Sequence, residues 1–195
     1  MRKVISFMHV SLDGFTVGPN GELEWAIVDD ELNPFVDGLF KSVDIAMYGR
    51  VTYQLMESYW PTVLDDPTAT ERERAHARWV GNVSKIVFSS TLSTADWKNT
   101  RLIKDRIAEE IHALKRESGG DLMIFGSPRL THSFMRLGLI DEYRLFLNPI
   151  LLGGGTPLFQ DTKAWTKLKL LDATKFQSGV VGLHYQTMEQ HPAES

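Results

Sequence analysis

The segment Asp121-Leu122-Met123-Ile124-Phe125-Gly126 runs directly into Ser127-Pro128-Arg129-Leu130 and leaves this chain few ways to fold. A short apolar run ends in glycine. Ser127 then stands at a helix N-cap position and Pro128 at the first helical position. Leu130, Phe134 and Leu137 recur at helical spacing until Gly138 stops the pattern. This is a buried strand feeding a helix through a glycine. Such a junction presents unpaired backbone N–H groups at the positive end of a helix dipole, which suits a phosphate. Close approach of a phosphate to backbone leaves little room for a Cβ, which accounts for glycine at 126.

The unit occurs twice. Val43-Asp44-Ile45-Ala46-Met47-Tyr48 meets Gly49-Arg50-Val51-Thr52, with Leu55 and Tyr59 as the expected inward residues of the helix that follows. Arg50 offers a bidentate phosphate partner and Thr52 a hydroxyl in the first turn. A third run, Lys85-Ile86-Val87-Phe88, gives out in the hydroxyls of Ser89-Ser90-Thr91. Ligands of open α/β sheets sit beyond the carboxyl ends of the strands. Three such ends bearing glycine, hydroxyls and arginine suit an extended, multiply phosphorylated ligand such as a dinucleotide. Neither G-x-G-x-x-G nor G-x-x-x-x-G-K-[ST] is present, so no Rossmann fingerprint or P-loop accounts for them.

The rest of the chain reads around this frame. Residues 1–10 form a first strand, and Asp13 to Gly21 a turn-rich loop. A helix is expected within Asp29–Phe40, starting near Pro34. An Asp66-Pro67-Thr68 turn leads to an exposed helix over Thr70–Val80. Ile103, Ile107, Ile111 and Leu114 fall at helical spacing, closed by Ser118-Gly119-Gly120. Alternation of strands and helices from Val43 to Leu147 predicts a mainly parallel sheet. Tyr143–Ile150 is strand-like. Beyond Gly153-Gly154-Gly155, Lys167–Phe176 and Val180–Met188 form an antiparallel hairpin about Gln177-Ser178-Gly179. The expected architecture is one α/β domain over 1–195, a mixed and mainly parallel sheet with helices on both faces.

At 195 residues with 43% hydrophobic content, the chain can build one real core. Its formal net charge of -4 gives no footing for nucleic-acid binding. It contains no cysteine, which rules out disulfides and thiolate metal sites. The apolar start is interrupted by Ser11 and Asp13 too soon for a signal peptide, and no run reaches transmembrane length, so the cytoplasm is the default location. The histidines show no metal-ligand spacing, and no metal is expected.

Five motifs appear in order: Ser11-Leu12-Asp13-Gly14-Phe15, Tyr48-Gly49-Arg50-Val51-Thr52-Tyr53, Gly126-Ser127-Pro128, Gly138-Leu139-Ile140-Asp141-Glu142 and Asn148-Pro149-Ile150-Leu151-Leu152-Gly153-Gly154-Gly155-Thr156-Pro157-Leu158-Phe159. In order and spacing they resemble the reductase domain of riboflavin biosynthesis, within the dihydrofolate reductase-like fold. The resemblance covers nearly the whole chain. It implies an NADPH-dependent reductase of a small pteridine- or pyrimidine-like substrate, usually dimeric. It places Gly49, Arg50, Val51 and Thr52 at cofactor phosphates, with Arg50 near the 2′-phosphate. Ser89, Ser90 and Thr91 match the strand end beside the adenosine. Gly126, Ser127, Pro128, Arg129 and Leu130 match the pyrophosphate segment, where dihydrofolate reductases carry paired glycines. Val10, Thr16 and Val17 match the nicotinamide lining. The zinc deaminase often fused to the riboflavin enzyme has no counterpart here, because its H-x-E and C-x-x-C residues are missing.

Hydride transfer also needs a proton source and a held substrate. Dihydrofolate reductases place a carboxylate on the first helix. The matching region here has Asp30, Glu31 and Asp37, of which Asp37 aligns with a two-residue gap. Asp13, beside Gly14, is the second catalytic candidate. His9, Trp25, Trp60, Asn148 and Gly154 are the candidates for contacting the substrate. The alternative function is a dinucleotide-binding homodimer without catalysis, in keeping with the missing obvious acid.

Overall fold

Fully apolar strand runs require a sheet covered on both sides, and that is the architecture found. The computed structural model describes residues 1–160 and 165–190. In chain order its elements are β1 (Val4–Ser11), β2 (Phe15–Val17), α1 (Asn33–Phe40), β3 (Val43–Gly49), α2 (Arg50–Val63), α3 (Glu71–Asn82), β4 (Ser84–Phe88), β5 (Thr100–Ile103), α4 (Ile107–Arg116), β6 (Asp121–Phe125), α5 (Pro128–Arg136), β7 (Glu142–Asn148), β8 (Thr156–Pro157), β9 (Thr166–Lys175) and β10 (Val181–Gln190). Eight strands make one sheet in the order β5-β4-β3-β6-β1-β7-β10-β9, and β2 pairs with β8 as a separate ribbon. The six strands from β5 to β7 are parallel. The last two are antiparallel, as the hairpin pattern predicts.

Side-chain alternation sorts the core into two layers. On one face Ile45, Met47, Leu122 and Ile124 pack against Ile111 and Leu114 of α4 and Leu130 and Phe134 of α5. On the other, Ala46, Tyr48, Met123 and Phe125 meet α1 through Leu39 and Phe40, α2 through Tyr53, and α3 through Trp79. This three-layer arrangement is the predicted fold class.

Several local expectations need correction. In α2 the buried face is Tyr53, Met56, Trp60 and Val63, so Leu55 and Tyr59 are half exposed. Both sets have helical spacing, and only contact with the sheet decides between them. Ile103 closes β5 rather than opening α4, because Arg106 at φ 52° breaks the chain direction just before Ile107. Leu137 is a half-exposed cap residue, not a core residue. Its helix ends in a Schellman motif: Leu139 N–H donates to the Phe134 carbonyl and Gly138 N–H to that of Met135, both at 3.0 Å. Residues 29–32 stay outside α1 because the Asp29 carboxylate accepts the N–H groups of Glu31 and Leu32. Among the described residues, no helix is long and apolar enough to cross a membrane.

Candidate functional site

The parallel strands bring three of the predicted junctions to one edge of the sheet. β4, β3 and β6 are neighbours, so Ser89, Gly49 and Gly126 follow one another along their carboxyl ends. α2 and α5 both start there. The Gly49 N–H donates to Ser127 Oγ at 3.0 Å, and that hydroxyl donates to the Phe125 carbonyl at 3.1 Å. Ser127 stands at the N-cap position with Pro128 after it, as expected, but its side chain ties the two junctions together instead of capping its own helix. The first-turn N–H groups of both helices lack intrahelical partners, as at any helix start. Arg50 and Arg129 are exposed at these starts, and neither meets a carboxylate among the described residues. Val51 is exposed, Thr52 half-buried, and Leu130 belongs to the core. Ser89 Oγ accepts the Leu92 N–H and bonds to Thr91 Oγ1, leaving Ser90 exposed at the rim.

The structure gives Gly126 a reason of its own, beside the close phosphate approach read from sequence. A Cβ there would meet only Thr52 Cγ2, at an ordinary 3.8 Å. Its φ, however, is +54°, and that of Ser127 is +55°. We expect Gly126→Val to cost about 2 kcal/mol, the strain of a β-branched residue in the left-handed region. Gly126→Asn should cost less than about 1 kcal/mol, since Asn visits that region. Urea denaturation of the two variants checks this ordering, and equal losses would contradict it.

The second half of the site is a pair of interlocked loops. The Asp13 carboxylate accepts N–H groups from Leu152 at 3.1 Å and Gly153 at 2.7 Å, and the Ser11 hydroxyl at 2.6 Å. Ser11 Oγ in turn accepts the Phe15 N–H. The hydrogen bond from Ser11 leads those that hold the Asp13 carboxyl below the usual carboxylate range. An ionised group with its lone pairs engaged is a loop clamp and a poor proton donor near neutrality. β2 and β8 pair next to it, with Thr16 Oγ1 donating to the Thr156 carbonyl. His132 of α5 lies with Nε2 within 3.1 Å of the Pro157 and Leu158 carbonyls, tying the ribbon to the helix that begins at Pro128. Val10 is packed with Met8 and Leu158, Val17 is half-buried on β2, and Gly154 lies against Pro19. Nothing in the sequence singled out His132, because it acts on backbone 25 and 26 residues further along the chain.

The substrate candidates divide. His9 and Asn148 come together at the carboxyl ends of β1 and β7, with Asn148 Nδ2 3.4 Å from His9 Nδ1. Asn148 Oδ1 accepts the Ile27 N–H at 2.9 Å, pinning the loop before α1 over this corner. Trp25 belongs to the same loop, its indole N–H donating to the Glu22 carbonyl. Trp60 lies elsewhere. It sits about 15 Å along α2 from the helix start, with its ring centroid 4.3 Å from that of His76 on α3. It serves the helix–helix contact and does not wall the cleft. Asp37 is also turned aside, pairing with Arg72 of α3 at 3.2 Å on an exposed surface. The alignment placed it by spacing alone, whereas helix phase decides which way it points.

Comparison with known proteins agrees with this geometry. Residues 2–182 match the RibD C-terminal domain family. The uncharacterized protein YyaP of Bacillus subtilis is 38% identical over 184 residues, covering 94% of each chain. Among solved structures, a putative riboflavin biosynthesis protein from Shewanella sp. PV-4 superposes with a TM-score of 0.76 at 22% identity, covering 96% of this chain and 99% of that one. A dihydrofolate reductase from Enterococcus faecalis complexed with NADP(H) and RAB-propyl shares the fold with a TM-score of 0.55 at 14% identity, over 96% of both chains. The chain belongs to the RibD C-terminal domain family.

Proposed function

We propose that the protein is an NADPH-dependent reductase of a small heterocycle. One observation carries this reading: two helix N-termini stand side by side at the ends of adjacent parallel strands, tied by the Gly49–Ser127 hydrogen bond and flanked by Arg50 and Arg129. That cradle fits the paired phosphates of a dinucleotide. The NADP(H) complex of the E. faecalis enzyme of like fold supports the choice of nucleotide. When bound, NADPH supplies a hydride. The residues of this chain hold its phosphates at α2 and α5, keep the β2–β8 ribbon closed through Asp13 and His132, and seat the acceptor ring near His9 and Asn148. NADPH at one hundred times its Kd should add about 2.7 kcal/mol to stability. An unchanged melting temperature at millimolar NADPH would remove the reading.

Asp37 and Asp13 are both engaged elsewhere, which favours a second reading, a dinucleotide-binding protein without catalysis. NADPH oxidation across a panel of oxidised pteridines and pyrimidines separates the two.

We also propose a homodimer. β9 and β10 expose Leu170, Leu171 and Met188, with Trp165 just before them. Apolar surface on terminal strands is stabilised when a second copy covers it. Light scattering at micromolar concentration is expected to return twice the chain mass, and a monomer mass would refute the proposal.

A further inference from the structure

We propose that His9 is a specificity-determining residue, held by Asn148 as the tautomer that offers its Nε2–H to a ring carbonyl of the substrate. This rests on the reductase reading for the identity of the cleft. The placement follows from register. The Phe7 carbonyl accepts the Gly126 N–H at 3.1 Å, which fixes the level of the phosphate junction on β1. His9 lies two residues further along and on the same side as Phe7, about 7 Å beyond that level. Its ring is lined by Phe7 and Phe146, with centroids 6.2 and 5.1 Å away.

The tautomer follows from the orientation of one amide. Asn148 is buried, and its Oδ1 must face the Ile27 N–H, a donor. Its Nδ2 must face the Phe146 carbonyl at 2.9 Å and the Val10 carbonyl at 3.5 Å, both acceptors. A flipped amide would set donor against donor and acceptor against acceptor. Of the two amide hydrogens one goes to the Phe146 carbonyl and the other points between the Val10 carbonyl and His9 Nδ1 at 3.4 Å; an N–H on Nδ1 would face that donor, so Nδ1 is the acceptor and the ring proton sits on Nε2. Among the described residues Nε2 has no hydrogen-bond partner, and it is not one of the buried unpaired atoms, so it is open to solvent. Burial pushes the His9 pKa down to about 4, which keeps the ring neutral near pH 7. A neutral N–H donor reads a carbonyl oxygen rather than a cationic ring.

Two measurements test this, both without nucleotide, so that they stand apart from the NADPH result. The ¹⁵N spectrum of histidine-labelled protein at pH 7, with His9 assigned from the His9→Gln variant, should show protonated Nε2 and bare Nδ1. Protonated Nδ1 overturns the proposal. Fluorescence titration should find pterin, which carries a ring carbonyl, bound about tenfold more tightly than 2,4-diaminopteridine, the effect of one neutral hydrogen bond. His9→Phe should erase that preference, and His9→Gln, which keeps an N–H donor, should restore part of it. Absence of pterin binding, absence of the preference, or its survival in a folded His9→Phe variant would each overturn it.

Discussion

Gly155→Ala should destabilise the protein by about 3 kcal/mol and lower the melting temperature by roughly 6–12 °C, far more than any other single methyl added to the glycine triplet. A Cβ at this position would lie far inside van der Waals contact distance of the Val17 carbonyl oxygen, and the residue has φ +120°. Backbone contacting backbone cannot be relieved by a rotamer change. The strain therefore forces β2 and β8 apart, and with them the proposed seat of the nicotinamide. Gly154→Ala is the internal control, since its Cβ would meet only Pro19 Cγ at 3.6 Å. It should stay within about 0.5 kcal/mol of the parent. Thermal melts of both variants decide the matter, and similar losses would mean that the loop moves freely.

Arg50→Ala should weaken NADPH by roughly 10- to 150-fold while leaving NADH nearly untouched. The guanidinium is exposed at the first residue of α2, with Gln54 Oε1 at 3.3 Å as its hydrogen-bond partner. It is thus available to a 2′-phosphate, and a hydrogen bond between charged groups contributes about 1.5–3 kcal/mol. Arg50→Lys should recover only part of the loss, because an ammonium cannot form the bidentate pair. Fluorescence titration with both nucleotides measures the ratio. Equal weakening of the two would move Arg50 away from the 2′-phosphate.

These expectations draw unequally on sequence and structure. The strand–glycine–helix units at Gly49 and Gly126 were legible because each is local, a buried run, a turn residue and a helix start within about ten residues. The hairpin about Gly179 was equally local, and its Gly179 N–H does close the turn on the Phe176 carbonyl. β5 was missed because four residues among Asn, Lys and Thr carry little pattern, and the Ile103–Ile107 spacing imitated a helix. β2 and β8 were missed because they are three and two residues long and exist only as each other's partner.

By itself, then, the sequence determined the mixed sheet, its helical cover and the edge where the strand–glycine–helix junctions gather, since hydrophobic period and turn chemistry act over a few residues. It could rank the carboxylates only by spacing, and Asp37 was chosen on that ground. Tertiary structure decided the rest. The phase of α1 turns Asp37 to Arg72, a contact 35 residues away along the chain. The meeting of β1 with the glycine triplet makes Asp13 a clamp on Gly153, 140 residues distant. The pairing of β1 with β7 sets Asn148 against His9 across 139 residues. Each is a side chain meeting a partner that only the assembled sheet brings near, and no local pattern along the chain records such a contact.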